Sequence, residues 1–149
     1  MKVLAIEIVS NDALMVFVEG NKSEFTVTKH GKFLSIPAQS DDIKGIIEFQ
    51  INFSMFLQEN PVDLVVLCEG GSDSKKKRVR MEFSILSECE RKSINYKTYA
   101  TSACTKIINS IFKKETDFDF SEVLVNQKLP KSAAKAFAAG WKFISTYGS

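Results

Sequence analysis

Two glutamates stand where a buried strand would hold them. Glu7 interrupts the apolar run MKVLAIEIVS, and Glu69 closes the most apolar stretch of the chain, VDLVVLCEGG. Burying an unpaired carboxylate is expensive. Two carboxylates on strands that should lie at the centre of one sheet therefore suggest a paired acidic site. A second cluster follows at once: five of the chain's basic residues, Lys75, Lys76, Lys77, Arg78 and Arg80, fall within six positions. Cations in such a run neutralise phosphates, the interaction that dominates non-specific nucleic-acid binding. The plainer reading of the run is a solvated loop.

The remaining reactive side chains are bland. His30 is the single histidine and has no Cys or His near it in sequence. Cys68, Cys89 and Cys104 are odd in number and lack CxxC spacing, which argues against a disulfide framework and a zinc site and makes them small core residues. No GxSxG, HExxH or P-loop pattern occurs. Among 149 residues, 44% are hydrophobic and 26% charged, the balance of a folded globular domain. No run reaches the roughly 18 apolar residues of a membrane span, and the start of the chain lacks a signal-peptide pattern. The expectation is a cytoplasmic protein with no membrane partner. The net charge of +2 is too small to imply nucleic acid by itself.

The elements that must position these residues follow from apolar periodicity and turn chemistry. Residues 2–9 read as a buried strand, 13–19 as a second and 23–30 as a half-exposed third, separated by the turns Asn11-Asp12 and Gly20-Asn21. The stretch 31–39, with Pro37, reads as irregular. A helix runs from Ser40-Asp41-Asp42 to about Glu59, stopped by Asn60-Pro61. Residues 63–68 form a strand covered on both faces. A loop carrying the basic run leads to a helix over about 79–93, then a strand over 95–99. A helix capped by Thr101 or Ser102 runs to about Lys113, and a last helix spans 131–146. The order βββαβαβαα predicts one α/β domain over residues 1–149, with a mixed five-stranded sheet and helices on both faces.

This order, with three short motifs, resembles the ribonuclease H-like superfamily and, within it, RuvC-type resolvases and a small bacterial family of unknown function. The first-strand piece is Val3-Leu4-Ala5-Ile6-Glu7, and the fourth-strand piece is Leu64-Val65-Val66-Leu67-Cys68-Glu69-Gly70. The last-helix piece, Ser132-Ala133-Ala134-Lys135-Ala136-Phe137-Ala138, keeps the family's alanines but has lost both of its acids. The resemblance implies that Glu7 and Glu69 are the catalytic carboxylates and ligate Mg²⁺ or Mn²⁺. Such metals activate a water and stabilise the leaving oxygen of a phosphodiester. It also implies that Lys135 stands at the third ligand position, where an ammonium repels a metal and neutralises the site. Asp117, Asp119 and Glu122 are the carboxylates upstream that a shifted alignment would supply. Lys113, Lys114, Lys128 and Lys131 would extend the basic patch.

The expected function is that of a RuvC-like protein binding DNA or RNA, with an acidic metal site too incomplete for catalysis. One alternative is a non-enzymatic protein-interaction or structural module that retains the fold. Another is a Mg²⁺-dependent nuclease acting on structured nucleic acid. RuvC-like folds pair through helices, so helix 41–59 is also a candidate homodimer surface.

Overall fold

The computed structural model describes residues 1–21, 25–28, 34–37, 42–112 and 134–147. The strands are β1 (Lys2–Val9), β2 (Asp12–Gly20), β3 (Phe25–Thr28), β4 (Leu34–Pro37), β5 (Leu64–Glu69) and β6 (Asn95–Ala100). The helices are α1 (Ile43–Glu59), α2 (Lys76–Arg91), α3 (Thr101–Phe112) and α4 (Ala134–Tyr147). One mixed sheet runs β3-β2-β1-β5-β6, with β4 also on β2. β1 pairs antiparallel with β2 and parallel with β5, and β5 pairs parallel with β6.

The expected mixed sheet with helices on its faces is present, but the count of five strands is corrected to six. The added strand is Leu34–Pro37, which reads as irregular because it is short and ends in proline. Proline is tolerated at an edge, where no ladder donor is needed. β4 pairs with residues 12–15 of β2, while β3 takes residues 17–20 of the same strand.

Alternation along the central strands divides the core in two. Val3, Ala5, Val66 and Cys68 face α3 and α4, where they meet Cys104, Phe137, Ala139 and Ile144. Leu4, Ile6, Val65 and Leu67 face α1 and α2, where they meet Phe49, Phe53, Met81 and Ile85. All three cysteines are fully buried, as expected of small core residues. Burying a side chain such as Phe53 contributes about 1.5–3 kcal/mol.

Two polar devices fix α1 and α2. Asp42 caps α1 by accepting a 2.8 Å bond from the Gly45 N–H, a contact typically worth about 1 kcal/mol. Glu88, buried on α2, accepts from Gln50 on α1 at 3.0 Å and from Arg91 at 2.7 Å. Burial alone would raise the pKa of Glu88. The hydrogen bonds from Arg91, Gln50 and Ser54 outweigh it and hold the carboxyl below its ordinary value.

Candidate functional site

Three element ends meet at the carboxyl ends of β1 and β5, and they enclose a cleft of about 710 Å³. Crevices at the carboxyl ends of parallel strands are where open α/β sheets place ligands. Glu7 lies at the bottom of it, only 5% exposed. The β1–β2 turn supplies Ser10 and Asn11, the loop after β5 supplies Asp73 and Lys75, and the first turn of α2 supplies Lys77 and Arg78. Thr101 and Lys135, at the N-terminal ends of α3 and α4, close the far side.

The register of β1 against β5 decides what Glu7 meets. Glu7 lies opposite Cys68, not Glu69. Alternation carries Cys68 to the α4 side with Glu7, and Glu69 to the other side with Val65 and Leu67. Glu69 is exposed and lies outside the cleft lining. The two carboxylates are therefore not brought together, because one residue of offset turns a strand side chain to the opposite face.

The contact Glu7 does make is weak. The Cys68 thiol donates to Glu7 Oε2 at 3.5 Å. That thiol is pushed well up in pKa, first by its hydrogen bond with Cys104 and then by burial, so it stays neutral. Oε1 of Glu7 has no hydrogen-bond partner among the described residues. Burial pushes the Glu7 carboxyl above its ordinary value. The nearby charges of Lys135 and Arg78 and the Cys68 thiol oppose the rise without reversing it, and Glu82 adds to it. Lys135 thus does face Glu7, although the two form no ion pair within 4 Å.

The basic run lies mostly on α2, not on a loop ahead of it, since the helix begins at Lys76 rather than near residue 79. Its start contradicts helix electrostatics. Lys75 at the N-cap makes no side-chain cap, and the first turn holds cations and no acid. Each such charge is unfavourable by about 0.3–1 kcal/mol beside the positive end of the helix dipole. Arg78 is compensated: its Nε lies 3.4 Å from Glu82 Oε2, and its Nη2 donates to the Cys68 carbonyl at 3.3 Å. Glu82 also accepts the Gly70 N–H at 2.9 Å. Arg78 is a latch between α2 and β5 as much as a free arm. Gly70 makes room for it, because a Cβ there would come 2.5 Å from Arg78 Nε. Lys77 donates to Asn11 at 3.0 Å, while Lys76 and Arg80 are exposed and do not line the cleft.

The described residues do not fit a Mg²⁺ or Mn²⁺ centre. No group of three or more His, Cys, Asp or Glu among them could hold a metal ion. Glu7 offers one carboxylate, its nearest partner is a soft and neutral thiol, and four cationic side chains (Lys75, Lys77, Arg78, Lys135) stand round the cleft against two carboxylates, Glu7 and Asp73. Asp117, Asp119 and Glu122 lie outside the described residues, as do His30, Lys113, Lys114, Lys128 and Lys131.

Some of this site escaped sequence reasoning. Ser10 carries no signal in the sequence, Asn11 reads as a plain turn residue, and Thr101 as a helix cap. The Arg78–Glu82 latch did leave a signal, since opposite charges four apart on a helix face each other.

Comparison with known proteins places this geometry. A family model described as "Protein of unknown function (DUF3010)" matches residues 1–141. No curated protein matches the sequence. Among solved structures, the chain is similar to Thermus thermophilus RuvC in complex with Holliday junction substrate, with a TM-score of 0.67 and 14% identity over 95% of this chain and 90% of that one. It is also similar to the fowlpox virus resolvase in complex with Holliday junction DNA, with a TM-score of 0.63 and 10% identity over 98% of each chain. Identities this low show the fold alone, which is that of RuvC and the ribonuclease H-like proteins.

Proposed function

The chain belongs to the DUF3010 family, and from its geometry we propose that it binds nucleic acid through the cleft over Glu7, as a RuvC-like protein without a working metal site. The observation that carries this reading is the excess of cations round that cleft, four against two carboxylates, at the mouth of the fold. The fold supports it, since the similar RuvC and fowlpox resolvase structures hold Holliday junction DNA. The mispaired Glu7 and Glu69 argue against catalysis.

Binding of a labelled four-way DNA junction tests the reading. Three phosphate contacts, by Lys75, Lys77 and Lys135, give a log–log salt slope of roughly −2 to −3, so affinity should fall roughly 20- to 40-fold between 50 and 200 mM salt. The junction should remain intact in Mg²⁺. Absent or salt-insensitive binding would remove the reading, and cleavage in Mg²⁺ would restore the nuclease alternative.

A second reading, that the chain forms a homodimer, has its own support. Ile43, Ile47, Ile51 and Met55 recur every four residues along α1 and are 50–75% exposed, with Val79 and Phe83 of α2 beside them at 53% and 73%. A contiguous apolar face of this kind marks an interaction surface. A two-fold axis beside Ile51 would set Ile47 against Met55 of the other copy, and Lys44 against its Gln58 and Glu59. Light scattering should find a dimer for wild type and a monomer for Ile47→Lys/Ile51→Lys. A monomeric wild type at tens of micromolar would dispose of this interface.

A further inference from the structure

The cleft poses a specific problem of charge. The sequence puts cations where the α2 dipole disfavours them, at the N-cap and in the first turn, and leaves that helix end without a side-chain cap. The leading N–H groups of a helix have no partner within the helix, so backbone donors and ammonium groups converge on the same space. The side chains of Lys75 and Lys135 make no ion pair or hydrogen bond with any described residue, yet both line the cleft, from opposite sides. Glu7, 95% buried, has one oxygen that no described protein group satisfies. The arrangement is over-supplied with positive charge and donors, and among the described residues it lacks the group of carboxylates that would recruit a metal.

We propose that this cleft takes a nucleic-acid phosphate directly, with no bridging metal, between Lys75 and Lys77 on one side and Lys135 on the other. The inference rests on the nucleic-acid reading above and goes beyond it by naming the group that is held and how. A phosphate suits the cations and the donors of this cleft, though not the Glu7 oxygen, which is itself an acceptor. It offsets the cations, it accepts from the free N–H groups of the α2 first turn as anions at helix N-termini do, and it needs no counter-ion from the protein. A divalent cation would answer only the Glu7 oxygen, and it would sit among four cationic side chains with two carboxylates, Glu7 and Asp73, among the described residues. The same cleft therefore serves the opposite electrostatic role from a metal-dependent nuclease site. The phosphate can be a backbone phosphodiester or a terminal phosphomonoester.

Fluorescence anisotropy on the full chain separates these outcomes. The probes are 3′-fluorescein single-stranded oligonucleotides carrying either a 5′-phosphate or a 5′-hydroxyl, titrated in EDTA and in Mg²⁺. The expected affinity is the same in both. Lys75→Ala/Lys77→Ala/Lys135→Ala should weaken binding at least 10-fold, while Lys106→Ala/Lys142→Ala, exposed positions on α3 and α4, should bind as wild type. Glu7→Gln, which takes a carboxylate out of the cleft, should bind more tightly than wild type. A comparable loss with the 5′-hydroxyl probe identifies the terminal phosphate, and equal binding of the two identifies the backbone. Binding that requires Mg²⁺ and disappears in Glu7→Gln would overturn the proposal. So would undiminished binding by the triple lysine variant, which would leave nucleic-acid binding intact but move it elsewhere. No binding to either probe would overturn this proposal, and the function it rests on would fall with it only if the four-way junction also went unbound.

Discussion

Replacing Gly140 with leucine is expected to destabilise the protein by at least about 3 kcal/mol, read as a lower urea midpoint. Gly140 is buried on α4 where the helix lies against the sheet. A Cβ at this position would stand 3.0 Å from the Ala5 Cβ and 3.0 Å from Val18 Cγ2. Gly140→Ala needs shifts of a few tenths of an ångström, and the gain in helix propensity of about 0.5–1 kcal/mol opposes that cost, so its net effect should be small. Leucine adds three further carbons with nowhere to go. Overpacking of this kind costs about 1–3 kcal/mol when the core yields locally. Here α4 must lift from β1 and β2, taking Phe137, Ala139 and Ile144 out of their contacts, and each large side chain exposed adds about 1.5–3 kcal/mol. The result matters for the site because α4 carries Lys135. A midpoint close to wild type would mean that α4 does not seat on Ala5 and Val18.

Glu7→Gln is expected to make the protein more stable at neutral pH, an unusual outcome for a change at a candidate site. The carboxyl is raised above its ordinary value of 4.5 by burial. The native state therefore holds its proton at pH values where the unfolded chain has lost it. Stability linked to this group is fully present below pH 4.5 and is lost as pH rises through the folded value. Glutamine keeps the shape and never pays this penalty. Removing a buried, poorly compensated charge is worth about 1–3 kcal/mol. The difference in melting temperature between variant and wild type should be largest at pH 7–8 and should shrink toward pH 4. A variant less stable than wild type at pH 8 would show that the Glu7 charge has a partner that pays for its burial.

Much of the fold is legible because β1 and β5 are apolar runs, the first broken only by Glu7, and α1 between them has a clear stop at Asn60-Pro61. Element order followed from that. The site was legible only in part. An unbroken apolar run such as Leu64–Cys68 hides the period of two, so nothing in it says which face Glu69 takes. Only the register against β1 does, and it brings Cys68 to Glu7. The sequence puts the start of α2 too late because cations at a helix N-terminus contradict the usual start signals. That contradiction marks the cleft, and such local inconsistencies are expected where function overrides folding preference. Lys135 was found through its place in the last-helix motif, and it does lie in the cleft with Glu7.

Anomalous diffraction from crystals soaked in Mn²⁺ tests the central claim, a cationic cleft that holds no metal, most directly. The expected map has no anomalous peak at Glu7, with Lys75, Lys77 and Lys135 still lining the cleft. A Mn²⁺ peak about 2.0–2.2 Å from a Glu7 carboxyl oxygen, joined by a second protein ligand, would contradict the account and return the chain to the metal-dependent nucleases.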